Sequence, residues 1–369
     1  MIKRQRLAEQ FAKLVSIDAP SYGERRMADY LKGHLESLGF SVEEDDAGAV
    51  YGGNCGNLYA FRKGHGNPVL LSMHMDTVEP AVGKQAVFHE DGRITGNGKT
   101  VLGADDMSGT AAVLEALEHL KEEGLSSRDV EIVFSIGEEK HVKGLKVFDA
   151  SKIQAKDSFV LDMSGEVGAA AIQAPSQITF TAKISGRASH AGFAPQEGVH
   201  AIQIAAQAIA RMPMGRIGED TTVNVGKIEG GKGTNIVPDL CVVYGELRSF
   251  SHEKALEELT KIEKIFEEEA AAAGGTLEFI KDVCYLAYHT PEDAKPVREF
   301  VSVCEKLGIF CKLVKTFGGS DQNKWAEYGI TGIVLASAMH RVHSCEEWTK
   351  LSEMERVAQI VTELLQLES

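Results

Sequence analysis

The chain has 369 residues, 43% of them hydrophobic, which is enough to bury a full core and, at roughly 150 residues per domain, to form about two domains. Its 54 acidic against 39 basic side chains leave a formal charge of −15, which argues against nucleic acid and anionic membranes and for a small-molecule substrate. No apolar run approaches the roughly 18 residues that span a bilayer, and the basic start Met1-Ile2-Lys3-Arg4 has no apolar stretch behind it to act as a secretory signal. Six scattered cysteines without a Cys-x-x-Cys pair read as reduced thiols, so the expected location is the cytoplasm.

In chain order, the periodicity predicts helices near Gln5–Ser16 and Ser21–Leu38, then a strand at Pro68–Asp76. Met107–Glu122 follows as a helix stopped by Gly124, ahead of strands at Asp129–Gly137 and Ser158–Asp162. These strands are near-continuous apolar runs, as in a parallel sheet covered by helices on both faces, so the fold class is α/β with a mostly parallel core in a mixed sheet. From about Pro175 the rhythm changes to strand Gln177–Ser185, helix Glu197–Met212, strands Thr221–Glu229 and Val237–Arg248, helix His252–Ala273 and strand Thr276–Ala287. That βαββαβ order is ferredoxin-like and reads as an insertion. After Pro291 the α/β pattern resumes with a helix from Glu292 to about Leu307, the turn Gly318-Gly319-Ser320-Asp321, strand Gly332–Ala336 and a final helix from about Glu347 to Leu367. The expected division is residues 1–174 with 290–369, interrupted by a domain of residues 175–289.

The candidate chemistry lies at or just past strand ends, where α/β folds place their sites. Strand Val69–Met73 delivers His74-Met75-Asp76, and a glycine-rich turn leads to Gly103-Ala104-Asp105-Asp106 ahead of a helix. Strand Val130–Ile136 runs into Gly137-Glu138-Glu139, another strand ends at Asp162, and His340-Arg341-Val342-His343 follows the last strand. Each fragment alone is a polar strand end, a solvated loop or a helix cap; together, two imidazoles and several carboxylates suit a pair of divalent ions. One of two adjacent glutamates can ligate while its neighbour takes a proton from water whose pKa a metal lowers to about 7. Asp76 is placed to accept from the second ring nitrogen of His74. Gly98-Lys99-Thr100 ends like a phosphate-binding loop, but Arg93 occupies the position of the required first glycine. Ser320 has no Gly-x-Ser-x-Gly setting and reads as a turn residue.

With Ser72-Met73-His74-Met75-Asp76, Leu102-Gly103-Ala104-Asp105-Asp106, Gly137-Glu138-Glu139, Leu161-Asp162, Ser189-His190-Ala191-Gly192 and His343, the chain resembles the dinuclear zinc peptidases that include peptidase T, carboxypeptidase G and the aminoacylases. Gly103-Ala104-Asp105-Asp106 and Gly318-Gly319-Ser320-Asp321 bring it nearest to the peptidase T-like members. The resemblance implies that Asp105 bridges two metals, with His74 and Asp162 on one and Glu139 and His343 on the other, zinc being expected and cobalt or manganese being alternatives. It further implies that Asp76 orients His74, that Glu138 is the general base and acid, and that the inserted domain is a lid and dimerisation domain whose His190 polarises the scissile carbonyl. Asn235, Arg248 and Asp321 match substrate-holding positions, against structural readings as a turn residue, an ion-pair partner and a helix cap. The implied activity is hydrolysis of short peptides, aminotripeptidase-like, with an aminoacylase, a carboxypeptidase or a catalytically silent binding protein as alternatives. Met107-Ser108 stands where many relatives carry Lys-Ala or Lys-Gly, which leaves the substrate open. A homodimer through the inserted domain is the expected assembly.

Overall fold

Residues 1–367 are described by the computed structural model, which forms two compact units: Met1–Gln173 with the chain from His289 onward, and Ala174–Tyr288. Among the described residues no helix is long and apolar enough to cross a membrane.

In the first unit the apolar runs become the inner strands of a mixed sheet. Strands Val130–Ser135, Val69–His74, Asp157–Ser164 and Thr331–Met339 lie side by side and parallel, in that order. Leu58–Arg62, with Ser41–Glu44 beyond it, adds antiparallel on one side, and Ala169–Ala174 does so on the other, with Lys312–Lys315 pairing parallel to it. Val69–His74 and Val130–Ser135 are buried at every position, which explains why they show no polar alternation: both faces of a central strand are covered. Helices Arg4–Val15, Ala104–Glu122, Lys295–Leu307 and Leu351–Gln366 pack through the same core cluster. Gly109 lets helix Ala104–Glu122 close on its strand, since an added Cβ would stand 2.5 Å from the Leu161 carbonyl oxygen.

A small antiparallel sheet of Val87–Phe88, Arg93–Thr95 and Trp348–Lys350 was not expected. Its last strand pairs with Arg93–Thr95 and delays the final helix to Leu351, four residues past the sequence-based start at Glu347. Trp348 and Thr349 are good strand residues, and their pairing overrides a helical pattern that begins only after them.

The second unit has strand order Gly215–Arg216, Thr221–Gly230, Leu240–Ser249, Ser176–Ser185, Thr276–Tyr285, all antiparallel. Along Ser176–Ser185, Ile178, Phe180, Ala182 and Ile184 point into a separate core. They meet Ile204, Ala205 and Ala208 of helix Ala201–Arg211 and Leu259, Ile262 and Phe266 of helix His252–Ala272. The period-2 pattern is that of a sheet with one covered face.

Candidate metal centre

Strand Val69–His74 ends on His74, whose side chain is 1% exposed. Its Nδ1 donates to the Asp76 backbone carbonyl at 2.9 Å, which leaves Nε2 facing the carboxylates of Asp105 at 3.0 Å and Asp162 at 3.9 Å. A carbonyl oxygen only accepts, so the proton on Nδ1 frees the Nε2 lone pair for a cation. Asp105 enters from the turn that opens helix Ala104–Glu122, and its other oxygen lies 3.2 Å from His343 Nε2. His343 also lies 3.1 Å from Glu139.

Two ligand groups result, His74-Asp105-Asp162 and Asp105-Glu139-His343, each with its donor atoms within 4.8 Å of one another and with Asp105 in both. Burial, then repulsion from neighbouring carboxylates, raises the carboxyl pKa values of Glu138, Glu139 and Asp162. His343 is pushed up to about 10 by its bonds to Asp105 and Glu139, and Glu139 keeps a second oxygen buried without a hydrogen-bond partner. So dense a set of acids around two imidazoles is the environment that divalent cations neutralise, and its nitrogen and oxygen donors fit them.

Glu138 is 9% exposed, and its carboxyl feels Asp162, His74 and Glu139 electrostatically, so it stands beside both groups. Asp76 fixes the turn that carries it. The Asp76 carboxylate accepts the N–H groups of Glu138 at 3.0 Å and Glu139 at 3.3 Å and the Ser21 hydroxyl at 2.7 Å, while lying 3.6 Å from His74 Nδ1. The expectation that Asp76 orients His74 is thereby refined: its backbone oxygen receives the ring proton, and its side chain holds the glutamate pair. Glu24, buried and raised to about 7 by desolvation and by Asp76, accepts from the N–H groups of Tyr22 and Gly137 and fastens the start of the same turn.

Asp321 is 1% exposed, and one of its oxygens accepts the hydroxyls of Ser72 at 3.0 Å and Ser135 at 2.9 Å. The other oxygen is buried without a hydrogen-bond partner among the described residues. The cap of helix Asp321–Glu327 is Ser320.

In the second unit the structure brings His190 and Asn235 together. His190 bridges Ile236, and the Ala191 N–H donates to the Asn235 carbonyl at 3.0 Å. His190 Nδ1 accepts from the Gly192 and Phe193 N–H groups at 3.1 and 3.2 Å, so its proton sits on Nε2, and Phe193 stacks on the ring at 4.2 Å. Arg248 lies elsewhere. It pairs with Gln177 in the sheet, whereas the other end of the same strand, Leu240, pairs with Ser185, just ahead of the His190 loop. Eight residues of strand at about 3.3 Å each separate the two ends, and Arg248 donates to Glu246 on its own strand.

Comparison with known proteins gives the family. A profile described as peptidase dimerisation domain matches residues 174–274, and one described as peptidase family M28 matches residues 57–174. The chain is 37% identical to YqjE of Bacillus subtilis over 99% of both chains. It overlays the aminopeptidase PepT of Bacillus cereus with a TM-score of 0.89 at 35% identity, covering 99% of this chain and 98% of that one. The chain belongs to the peptidase T-like metallopeptidases. A tripeptidase of Staphylococcus aureus gives a TM-score of 0.95 at 33% identity, again over 99% of this chain and 98% of that one. In this peptidase T-like protein, sequence reasoning missed Ser21, Glu24 and Glu347. Ser21 and Glu24 stand in a segment read as the opening of a helix, and the observed helix begins at Arg25.

Proposed function

We propose that the protein releases amino acids from short peptides, tripeptides foremost, with two zinc ions held by His74, Asp105 and Asp162 on one side and Asp105, Glu139 and His343 on the other. The shared placement of Asp105 between the two groups, with Glu138 alongside, is the observation that carries the reading. Bound there, two divalent cations supply Lewis acidity toward a carbonyl and lower the pKa of water from 15.7 to about 7.

The chain's own groups do the rest. Glu138, buried and held by Asp76 through its N–H, takes the proton of the attacking water and returns it to the departing amine nitrogen. His190 carries its proton on Nε2 and is the donor to the developing oxyanion, and Asn235, joined to the same loop, is assigned to hold substrate. The matched peptidase dimerisation domain supports a homodimer through the second unit.

The test is release of amino acids from a panel of di- and tripeptides and N-acyl amino acids, with and without chelator. Chelator-sensitive cleavage fastest on tripeptides is expected. Turnover confined to N-acyl amino acids would move the protein to the aminoacylases, and absence of chelator-sensitive turnover would overturn the hydrolytic reading.

A further inference from the structure

His343 sits in a loop whose ends are tied together. His340 and Trp348 exchange backbone hydrogen bonds of 3.0 Å in both directions, and their rings stack with centroids 3.9 Å apart, so residues 341–347 form a closed hairpin loop. Inside it the Ser344 hydroxyl donates to the Arg341 carbonyl at 2.7 Å and accepts from the Glu346 N–H at 3.2 Å, while the Glu347 N–H donates to the Ser344 carbonyl at 3.1 Å. His343 itself takes a left-handed backbone, with φ at 62°.

At the base of this loop Glu347 turns inward and is 1% exposed. One of its oxygens accepts the Gly103 N–H at 2.6 Å, and the other accepts the Asp105 N–H at 2.9 Å. A single carboxylate thus fastens the loop that bears His343 to the turn that bears Asp105. Charge-assisted bonds of this kind are among the stronger ones a buried backbone can make, and both oxygens are in use.

We propose that Glu347 is a positioning residue that holds the His343 loop and the Asp105 turn at one spacing, and thereby sets the affinity of the Asp105-Glu139-His343 group for its cation. The inference rests on the reading of that trio as a metal site. The competing role is an anchor for the start of helix Ala104–Glu122, where a negative charge is favoured by the helix dipole. An anchor of that kind alone would stabilise the fold without distinguishing one ion from the other. Glu347→Gln separates the two roles. It keeps the shape and one acceptor, but its amide N–H₂ faces a backbone N–H, donor against donor.

Metal-free wild type, E347Q, E347D and E346Q are titrated with Zn²⁺ against a chromophoric chelator, with apo-protein melting, kcat and KM measured in parallel. The expected wild type takes two ions, and E347Q keeps one at wild-type affinity while the other weakens by about 10–100-fold. E347D, with both acceptors on a shorter arm, falls between them; E346Q, whose carboxylate pairs with exposed Arg341, matches wild type. Excess Zn²⁺ restores kcat of E347Q at unchanged KM. Two ions bound by E347Q at wild-type affinity overturn the inference alone, as does loss of both ions in step with a lowered apo melting temperature. Uptake of fewer than two ions by wild type overturns the two-metal reading and this inference with it. Where E347Q does not fold, E347D decides by the same comparison.

Discussion

The two ligand groups share a carboxylate but are built on different ground. His74 is the last residue of a strand buried at every position, and its Nδ1 is committed to a backbone carbonyl. His343 rides on a loop, and its side chain is 54% exposed. A donor locked by packing on a rigid element loses little freedom when a cation arrives, whereas a donor on a loop must be ordered at that moment unless something else has already done so. The first group therefore owes its geometry to the sheet, and the second to hydrogen bonds at the edges of a hairpin.

The largest effect breaks both groups at once. Asp105→Asn removes the carboxylate common to them, and neither ion is retained after dialysis, with activity reduced to background; metal analysis alongside the peptide assay checks it. Glu138→Gln comes next, and it spares both groups. It lowers kcat by about 10²–10⁴-fold, as removal of a general base does, while metal content stays at the wild-type level. Lost metal in that variant would show that Glu138 is a ligand rather than a base.

His343→Ala sharpens the contrast further. The His74 group keeps its ion and the exposed group releases its own, and the ion lost is the one expected to leave in the faster of two phases when wild type is taken through a mild chelator series. A single phase in wild type, with both ions leaving together, would mean that the difference in setting has no consequence for affinity. The smallest effect is that of Ser21→Ala, which removes one hydroxyl donated to Asp76 and loosens the turn of Glu138 and Glu139. Activity falls on the order of tenfold, as for other losses in the shell behind a metal site, with the melting temperature little changed.

Much of this was legible in the sequence because the central strands are near-continuous apolar runs with ionisable residues at or just past their ends. His74 and Asp162 lie at or near the end of a strand, Glu138 and Glu139 follow one and Asp105 stands in the opening turn of a helix, so their chain positions carried the signal. The βαββαβ unit was equally plain, since Ile178, Phe180, Ala182 and Ile184 alternate with polar residues along one strand. What escaped notice are residues that act through backbone amides. Glu347 looks like the first residue of an amphipathic helix, and nothing in its neighbours announces that its carboxylate reaches across to Gly103 and Asp105, more than 240 positions away in the chain. Asp321 follows a glycine turn, and nothing in the sequence announces that Ser72 and Ser135 donate to one of its oxygens.

Gly109 carries no side chain, yet it sets how closely two segments that bear candidate ligands can approach. Helix Ala104–Glu122 rests against the strand that carries Asp162 at this residue, and any side chain there would push the two apart. The spacing between the segment that bears Asp105 and the strand that bears Asp162 is therefore governed in part by a residue without a side chain, the thickness of one backbone-to-backbone seam.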